Sequence, residues 1–254
     1  MSILEQAAKP GDGPVIATIT GDAGVGKTVL AATFPNPVFI RAEDGLQSIP
    51  YERRPDALPK LKNCEDLWDQ LTALVKEEHQ YQTLVVDSVT QLETMFHDWV
   101  LENDPKKPKS INQAMGGYGA GRTAIGAQHG RLRQAAEILK NRRGMNVIFI
   151  AHADTNVVEL PDQDPYTRYD LRLHSKSMTH YTDNVDLVAY LKLQTFTTGD
   201  GERKKALSDG TRVAVCYTTA ANISKNRYGI TDDLVVPEGE NPFIPYIPSL
   251  SAGE

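Results

Sequence analysis

The chain has 254 residues, of which 40% are hydrophobic and 24% charged, and its formal net charge is −6. This length suits one large domain with a substantial core, and no apolar run reaches the length that spans a bilayer. The acidic balance argues against a dedicated nucleic-acid binder, whose field is usually basic. We therefore expect a one-domain globular protein with no membrane partner.

One segment departs from this acidic balance. Between residues 105 and 143, nine lysines and arginines face a single acid, Glu137, which gives this segment a net charge of +8. A charged run is more often only a solvated helix face. A charge asymmetry of this size is nevertheless compatible with binding of a polyanionic partner.

The cysteines and the first residues bear on the cellular compartment. Cys64 and Cys216 lie far apart and outside any CxxC pattern, so we expect reduced thiols rather than a disulfide or a metal site. The opening MSILEQAAKPGDG lacks the basic and apolar regions of an export signal. We therefore expect a cytoplasmic protein.

The predicted elements alternate between strands and helices over the first 154 residues. Apolar β-branched runs predict strands at 14–20, 37–44, 81–88 and 145–154, and helical spacing predicts helices at 27–34, 64–79, 89–103 and 122–144. Residues 104–121 and 155–182 are expected to be loops, and 184–196 and 211–223 to be strands joined through the GDGE turn at 199–202. This order predicts an α/β fold: a mainly parallel sheet flanked by helices, with antiparallel strands added at the C-terminal side.

Residues 21–28 read GDAGVGKT, which matches the phosphate-binding pattern G-x-x-x-x-G-K-[ST] between a predicted strand and a predicted helix. Its glycines let the backbone aim N–H groups at a phosphate, and the helix N-terminus adds a positive dipole. Lys27 is expected to reach the β and γ phosphates of ATP, and Thr28 to offer a hydroxyl to Mg²⁺. The expected nucleotide contacts are Gly21, Asp22, Ala23, Gly24, Val25, Gly26, Lys27, Thr28 and Val29.

Two acids at predicted strand ends extend this site. Asp87 ends the strand LVVDS, a position from which a carboxylate holds Mg²⁺ through water, and Ser88 is expected to support the metal or the γ phosphate through hydrogen bonds. Glu43 follows the strand in FIRAED and is the candidate base for hydrolysis, although its neighbour Asp44 remains an alternative. The carboxyl ends of parallel strands meet at the ligand crevice of such sheets, so these acids are expected to converge on the phosphate loop.

GDAGVGKT, VFIRAED and LVVDSV together resemble, in order, the RecA-like core ATPases, the group of RecA, DnaB and KaiC. The resemblance implies that Glu43 is the catalytic glutamate and that His152, in FIAHAD, stands where a γ-phosphate sensor, commonly Gln, is found. It also implies that Lys225 and Arg227, in ISKNRYGI, reach the ATP of a neighbouring subunit in a homo-oligomeric ring or filament. More narrowly, the chain is similar to the small phage Sak-type annealing and recombination ATPases.

The resemblance further implies two loops that hold single-stranded DNA, at 104–121 and 154–180. Lysines and arginines there would contact phosphates and Tyr118 would stack on a base, although acids in the second loop weaken the case. The candidate DNA contacts are Lys106, Lys107, Lys109, Tyr118, Arg122, Arg168, Arg172 and Lys176.

Taken together, the sequence predicts a flexible tail at 1–12, a RecA-like ATPase domain at 13–236 and a proline-rich tail at 237–254. The expected activity is Mg²⁺-dependent ATP hydrolysis to ADP in DNA recombination or strand annealing, with a phage single-strand binding protein as a further partner. The alternatives are a nucleotide-gated scaffold or helicase-loader-like protein and, less favoured, a small-molecule kinase.

Overall fold

A computed structural model of the chain describes residue 7, residues 12–198 and residues 205–251. The predicted GDGE turn and almost all of the predicted N-terminal tail lie outside these residues. Within them, no helix is long and apolar enough to cross a membrane.

The described residues form strands and helices in alternation through the first 160 positions. The strands are Ile16–Gly21 (β1), Pro37–Arg41 (β2), Asp56–Ala57 (β3), Thr83–Asp87 (β4), Asn146–Leu160 (β5), Gln163–Leu171 (β6), Leu187–Leu193 (β7), Phe196–Thr198 (β8), Lys205–Leu207 (β9), Arg212–Val215 (β10), Lys225–Asn226 (β11) and Leu234–Val235 (β12). The α-helices are Lys27–Ala31 (α1), Cys64–Lys76 (α2), Val89–Asn103 (α3), Ala120–Arg143 (α4), Ser175–Thr182 (α5) and Pro248–Ser251 (α6).

The central sheet has the order β12-β10-β7-β1-β5-β4-β2-β3. Strands β1, β2, β3, β4, β5 and β7 run parallel, whereas β10 and β11 pair antiparallel with β7, and β12 pairs antiparallel with β10. The predicted mixed α/β class, with antiparallel strands at the C-terminal side, is confirmed. Because all the parallel strands point the same way, the turns that follow β1, β2, β4 and β5 gather at one edge of the sheet.

Both faces of the sheet are covered, because successive residues of each strand point to opposite sides. Val38 and Val147 face a core shared with α2, α3 and α4, whereas Phe39 and Ile148 face α1. All four side chains are fully buried. Near-continuous apolar strands such as 14–20 are therefore explained by burial on two sides.

The prediction of a loop at 155–182 is wrong. Strand β5 continues to residue 160 and pairs antiparallel with β6, which forms a hairpin, and helix α5 follows from residue 175. The outer part of this hairpin is exposed on both faces, so its sequence carries no alternation of apolar and polar residues that would indicate a strand.

Part of the predicted proline-rich tail at 237–254 packs against the sheet. Phe243, Ile247 and Leu250 are buried in the core on the α1 side, and the Phe243 ring lies 6.1 Å from that of Phe34. The described part of the C-terminal segment therefore completes the covering of the sheet, because the short helix α1 leaves part of that face open.

Candidate nucleotide-binding site

The phosphate loop follows β1 at the carboxyl edge of the sheet. Gly21 packs so tightly against β7 that a Cβ atom there would lie 2.3 Å from the carbonyl oxygen of Leu191. Gly26 adopts a left-handed conformation, with φ of 104°, immediately before α1 begins at Lys27. Both positions require glycine, which explains the motif spacing in physical terms.

Lys27 is buried at the floor of this loop. Its Nζ donates to the carbonyl oxygens of Gly21 and Asp22 at 2.9 and 2.8 Å. Burial lowers the pKa of Lys27, and the carboxylates of Asp87 and Glu43 act in the opposite direction. An ammonium group surrounded by carbonyls and carboxylates is suited to an anionic ligand that can replace these partners.

Thr28 and Asp87 form a pair of oxygen ligands beside Lys27. Thr28 Oγ1 donates to Asp87 Oδ2 at 2.8 Å, and only 2% of Asp87 is exposed. Burial raises the pKa of Asp87 to about 6, although the hydrogen bond from Thr28 opposes the shift. A hydroxyl and a carboxylate are the ligand types that Mg²⁺ takes in such sites.

Gly45 leaves the space that a cation needs at this pair. A Cβ atom at Gly45 would lie 2.6 Å from both Asp87 Oδ2 and Thr28 Oγ1. The absence of a side chain there keeps both oxygens open, so the residues present fit a bound Mg²⁺. The sequence does not predict Gly45 as a site residue, because it lies outside the phosphate-loop motif. Its position two residues after Glu43 is the local feature that indicates it.

We predict that Gly45→Ala lowers the affinity for Mg²⁺–nucleotide by about tenfold or more, because the added methyl group fills the space between Thr28 and Asp87. Titration with a fluorescent nucleotide, with and without Mg²⁺, measures this effect. Gly13→Ala is the matched control, since a Cβ atom at Gly13 meets nothing within 4 Å. Equal affinities for Gly45→Ala and wild type would contradict the assignment.

We predict that Asp87→Asn stabilises the metal-free protein above about pH 6. The carboxyl group of Asp87 keeps its proton up to a pKa of about 6 in the folded chain, against 3.8 as the ordinary value. Folding therefore becomes less favourable as pH rises between these values, by up to about 3 kcal/mol. Asparagine removes this cost because it carries no charge.

Thermal unfolding in EDTA at several pH values measures this difference. We expect Asp87→Asn to melt several degrees above wild type at neutral pH and to match it below about pH 4. Asp69→Asn, a change at an exposed helix position, serves as the control. A lower melting temperature for Asp87→Asn at neutral pH would contradict the prediction.

Glu43 and His152 form a second pair across the pocket. His152 Nε2 lies 3.1 Å from Glu43 Oε1, and His152 Nδ1 lies 3.5 Å from Lys27 Nζ. Nδ1 thus faces a cationic donor and Nε2 faces a carboxylate, an arrangement that suits a proton on Nε2 donated to Glu43. The hydrogen bond from His152 lowers the pKa of Glu43 against the effect of burial, so Glu43 is ionised.

The pocket formed by these residues has a volume of about 540 Å³. Thr28, Glu43, Asp87 and His152 all line it, so sequence-predicted residues from four separate segments converge. The alternative base, Asp44, also lines the pocket, but its carboxylate is engaged by Lys60 Nζ at 2.5 Å. Asp44 is thus held by Lys60, which does not line the pocket, whereas the partner of Glu43 is His152, a pocket residue. This arrangement favours Glu43 over Asp44 as the group that acts on a ligand.

Arg212 is a pocket residue that the sequence does not reveal. It lies at the start of β10, and its Nε donates to the carbonyl oxygen of Val25 at 2.9 Å, across the phosphate loop. A second cavity of about 360 Å³ begins beside Arg212 and Val29 and continues along Ser48 and Ile49. Arg212 thus adds a cation from β10 next to Gly26.

Lys225 and Arg227 lie at the opposite edge of the sheet from the phosphate loop. Strand β11 pairs with residues 187 and 188, which are at the start of β7, whereas Gly21 is level with Leu191 further along. Arg227 Nη1 lies 2.9 Å from Asp186 Oδ1, and Lys225 Nζ donates to the carbonyl oxygen of Asp183. These cations therefore do not reach the candidate nucleotide pocket of the same chain.

The first candidate DNA segment is an organised loop between α3 and α4. Buried Asp104 accepts hydrogen bonds from the backbone N–H groups of Lys106 and Met115 at 2.9 and 2.5 Å. Lys107 donates to the carbonyl of Glu102. The Lys106, Lys107, Lys109 and Tyr118 side chains are exposed, and Tyr118 is fully so, in a left-handed conformation with φ of 52°.

The remaining candidate DNA residues lie near the base of the hairpin. Arg122 and Arg172 line one cavity of about 300 Å³, and Lys176 Nζ donates to Thr123 Oγ1 at 2.5 Å. Arg168 pairs with Asp170 at 2.9 Å. Carboxylates thus compensate part of the positive charge here, and in the first loop the Asp104 carboxylate lies close to the charges of Lys106 and Lys107.

Comparison with known proteins identifies the family of this chain. The family model described as "AAA domain" (AAA_24) matches residues 14–228, which is most of the chain. A solved structure entitled "Crystal structure of the RadB recombinase" is similar at 15% identity with a TM-score of 0.51, covering 91% of this chain and 93% of that one. No curated protein matches the chain. The similarity of structure shows a RecA-like fold. Because the family model matches residues 14–228, the chain belongs to the AAA domain family.

Proposed function

We propose that the protein is a Mg²⁺-dependent ATPase that binds single-stranded DNA and supports recombination or strand annealing, in the manner of the phage Sak-type proteins. The observation that carries the proposal is the convergence of Lys27, Thr28, Glu43, Asp87 and His152 on one pocket. A phosphate cradle, a pair of oxygen ligands for Mg²⁺ and an ionised carboxylate are the components that hydrolysis of a nucleotide requires.

Each residue has a distinct task in this proposal. Thr28 and Asp87 would hold Mg²⁺, which when bound would neutralise charge on the phosphates. Lys27 binds the β and γ phosphates, and Glu43 orients the attacking water and accepts its proton. His152 positions the Glu43 carboxylate through Nε2 and lies close enough to Lys27 to respond to the γ phosphate. The second cavity, next to Val29 and Arg212, offers space for the nucleoside.

A neighbouring subunit completes this site in the proposal. Arg227 and Lys225 lie at the amino edge of the sheet, whereas the pocket opens at the carboxyl edge. Subunits that stack head to tail would bring the cations of one against the ATP of the next. Positive charge supplied in this way stabilises the transition state of phosphoryl transfer.

The proposal is tested by measuring phosphate release against protein concentration, with and without single-stranded DNA and without any acceptor molecule. We expect the rate per subunit to rise with concentration and with DNA. A rate that stays constant on dilution to monomer, and that ignores DNA, would contradict both the site shared between subunits and the recombination function. Phosphate transfer only to an added acceptor would favour a kinase.

We predict that Tyr118→Ala weakens binding of single-stranded DNA by about tenfold, because stacking of one base on an aromatic ring contributes about 1–3 kcal/mol. Tyr118→Phe keeps the ring and should bind like wild type. Fluorescence anisotropy with a labelled oligonucleotide at fixed salt measures both. If the two variants bind equally, stacking on Tyr118 is excluded.

A further inference from the structure

A groove between α2 and α4 combines an apolar floor with a basic rim. It encloses about 360 Å³, and Trp68, Val75 and Ile138 contribute to its floor, with Ile138 40% exposed. Lys76, Arg131 and Arg142 also line it, and no acid is among its lining residues. The Arg131 guanidinium lies 3.9 Å from the centroid of the Trp68 ring, so its charge is held at the groove.

The hairpin tip, residues 157–166, has the complementary character. Val157 is 65% exposed and Leu160 43% exposed, although both are paired with residues of β6. The tip contains the acids Glu159, Asp162 and Asp164 and no lysine or arginine. A two-stranded ribbon with exposed apolar residues gains little stability by itself, so a partner surface is expected for it.

We propose that the hairpin tip of one copy of this chain docks in the α2/α4 groove of the next copy. Three acids then face three cations around an apolar contact of Val157 and Leu160 with the groove floor. Electrostatic complementarity of this kind sets the register and the rate of association. The two surfaces differ from each other, so the contact is head to tail and repeats from copy to copy.

The positions of the two surfaces identify a second copy as the occupant. The hairpin leaves the sheet directly after His152, at the edge where the nucleotide pocket opens. Gln134 of α4 lines both the groove and the cavity that contains Lys140 and Arg227. A neighbour that presents its pocket to Arg227 therefore also brings its hairpin to α4. The docking rests on the proposed head-to-tail assembly and adds a second contact between the same two copies.

A charge exchange tests this docking. The tip variant carries Glu159→Lys, Asp162→Lys and Asp164→Lys; the groove variant carries Lys76→Glu, Arg131→Glu and Arg142→Glu. We expect each to weaken self-association by at least tenfold in sedimentation velocity with a non-hydrolysable ATP analogue. A chain that carries all six changes should associate like wild type, because the charges again oppose each other.

The matched control is Glu52→Lys, Asp232→Lys and Glu240→Lys, three exposed acids outside the tip, which should leave association unchanged. Nucleotide affinity, measured on each variant, reports folding and the phosphate site separately. Normal association of the tip variant would overturn the docking while leaving the proposed ATPase intact. A groove variant that associates normally but loses DNA affinity would also overturn the docking. It would instead identify the groove as a nucleic-acid surface.

A wild-type chain that hydrolyses ATP only as a monomer would overturn the docking together with the trans cations. The phosphate site and Glu43 would remain valid in that case. Loss of nucleotide binding in the wild type, by contrast, would refute the proposed function itself. The two failures are therefore distinguishable by nucleotide titration and sedimentation of the same samples.

Discussion

Replacing Glu43 with glutamine is expected to lower the rate of ATP hydrolysis by about 10²–10⁴-fold while leaving nucleotide binding unchanged. Glutamine keeps the shape of the side chain and can still accept the hydrogen bond from His152 Nε2, which lies 3.1 Å from Glu43 Oε1. It cannot accept a proton from water. Single-turnover hydrolysis and nucleotide titration of the same protein separate the two effects.

Asp44→Asn is the matched control for this variant. Asp44 is the neighbouring acid at the same strand end, but Lys60 engages its carboxylate. We expect turnover close to that of wild type for Asp44→Asn. Unchanged turnover of Glu43→Gln would refute Glu43 as the base and would support the alternative of a nucleotide-gated scaffold that scarcely hydrolyses ATP.

Mixing two inactive variants is expected to restore activity. Arg227→Ala should lower turnover by about 10³-fold, because a cation supplied to the neighbouring nucleotide contributes this much or more in related phosphoryl transfers. Lys27→Ala disables the phosphate loop. In an equal mixture, about a quarter of random head-to-tail contacts join an intact loop to an intact Arg227, so about a quarter of wild-type turnover should return.

The local structure permits the Arg227 change. Asp186 also accepts hydrogen bonds from Lys140 Nζ and from the backbone N–H of Ile16, at 2.9 and 3.0 Å, so its carboxylate stays paired when Arg227 is removed. Each variant alone, at the total concentration of the mixture, is the control. A mixture that associates but stays inactive would show that Arg227 has only its structural ion pair with Asp186.

The parts of the site that the sequence predicts are those encoded by short contiguous patterns. GDAGVGKT fixes its own backbone, because its glycines adopt conformations that other residues disfavour and its lysine begins a helix. Asp87 ends one short β-branched apolar run and Glu43 follows another, and runs of this kind are typical of buried strands. Parallel strands then bring these ends together, and Asp87 and Glu43 line one pocket with the phosphate loop. Their roles there stay a prediction.

Residues distant in sequence could not be assigned in this way. Arg212 crosses the phosphate loop from a strand 187 positions away from Val25, and no local pattern marks it. Gly45 is needed for the space between Thr28 and Asp87, which exists only once β2 and β4 are neighbours. Both contributions depend on strand order, which a single sequence does not specify.

By itself, the sequence determined the fold class, the phosphate loop and the strand-end acids, because burial and backbone geometry restrict which residues can stand there. The tertiary structure decided the rest. It turned the expected loop at 155–182 into a hairpin and a helix, packed Phe243 and Ile247 onto the sheet, and placed Arg227 at the edge opposite the pocket. Those outcomes arise from pairing and packing between distant segments, whose free energy no local pattern records.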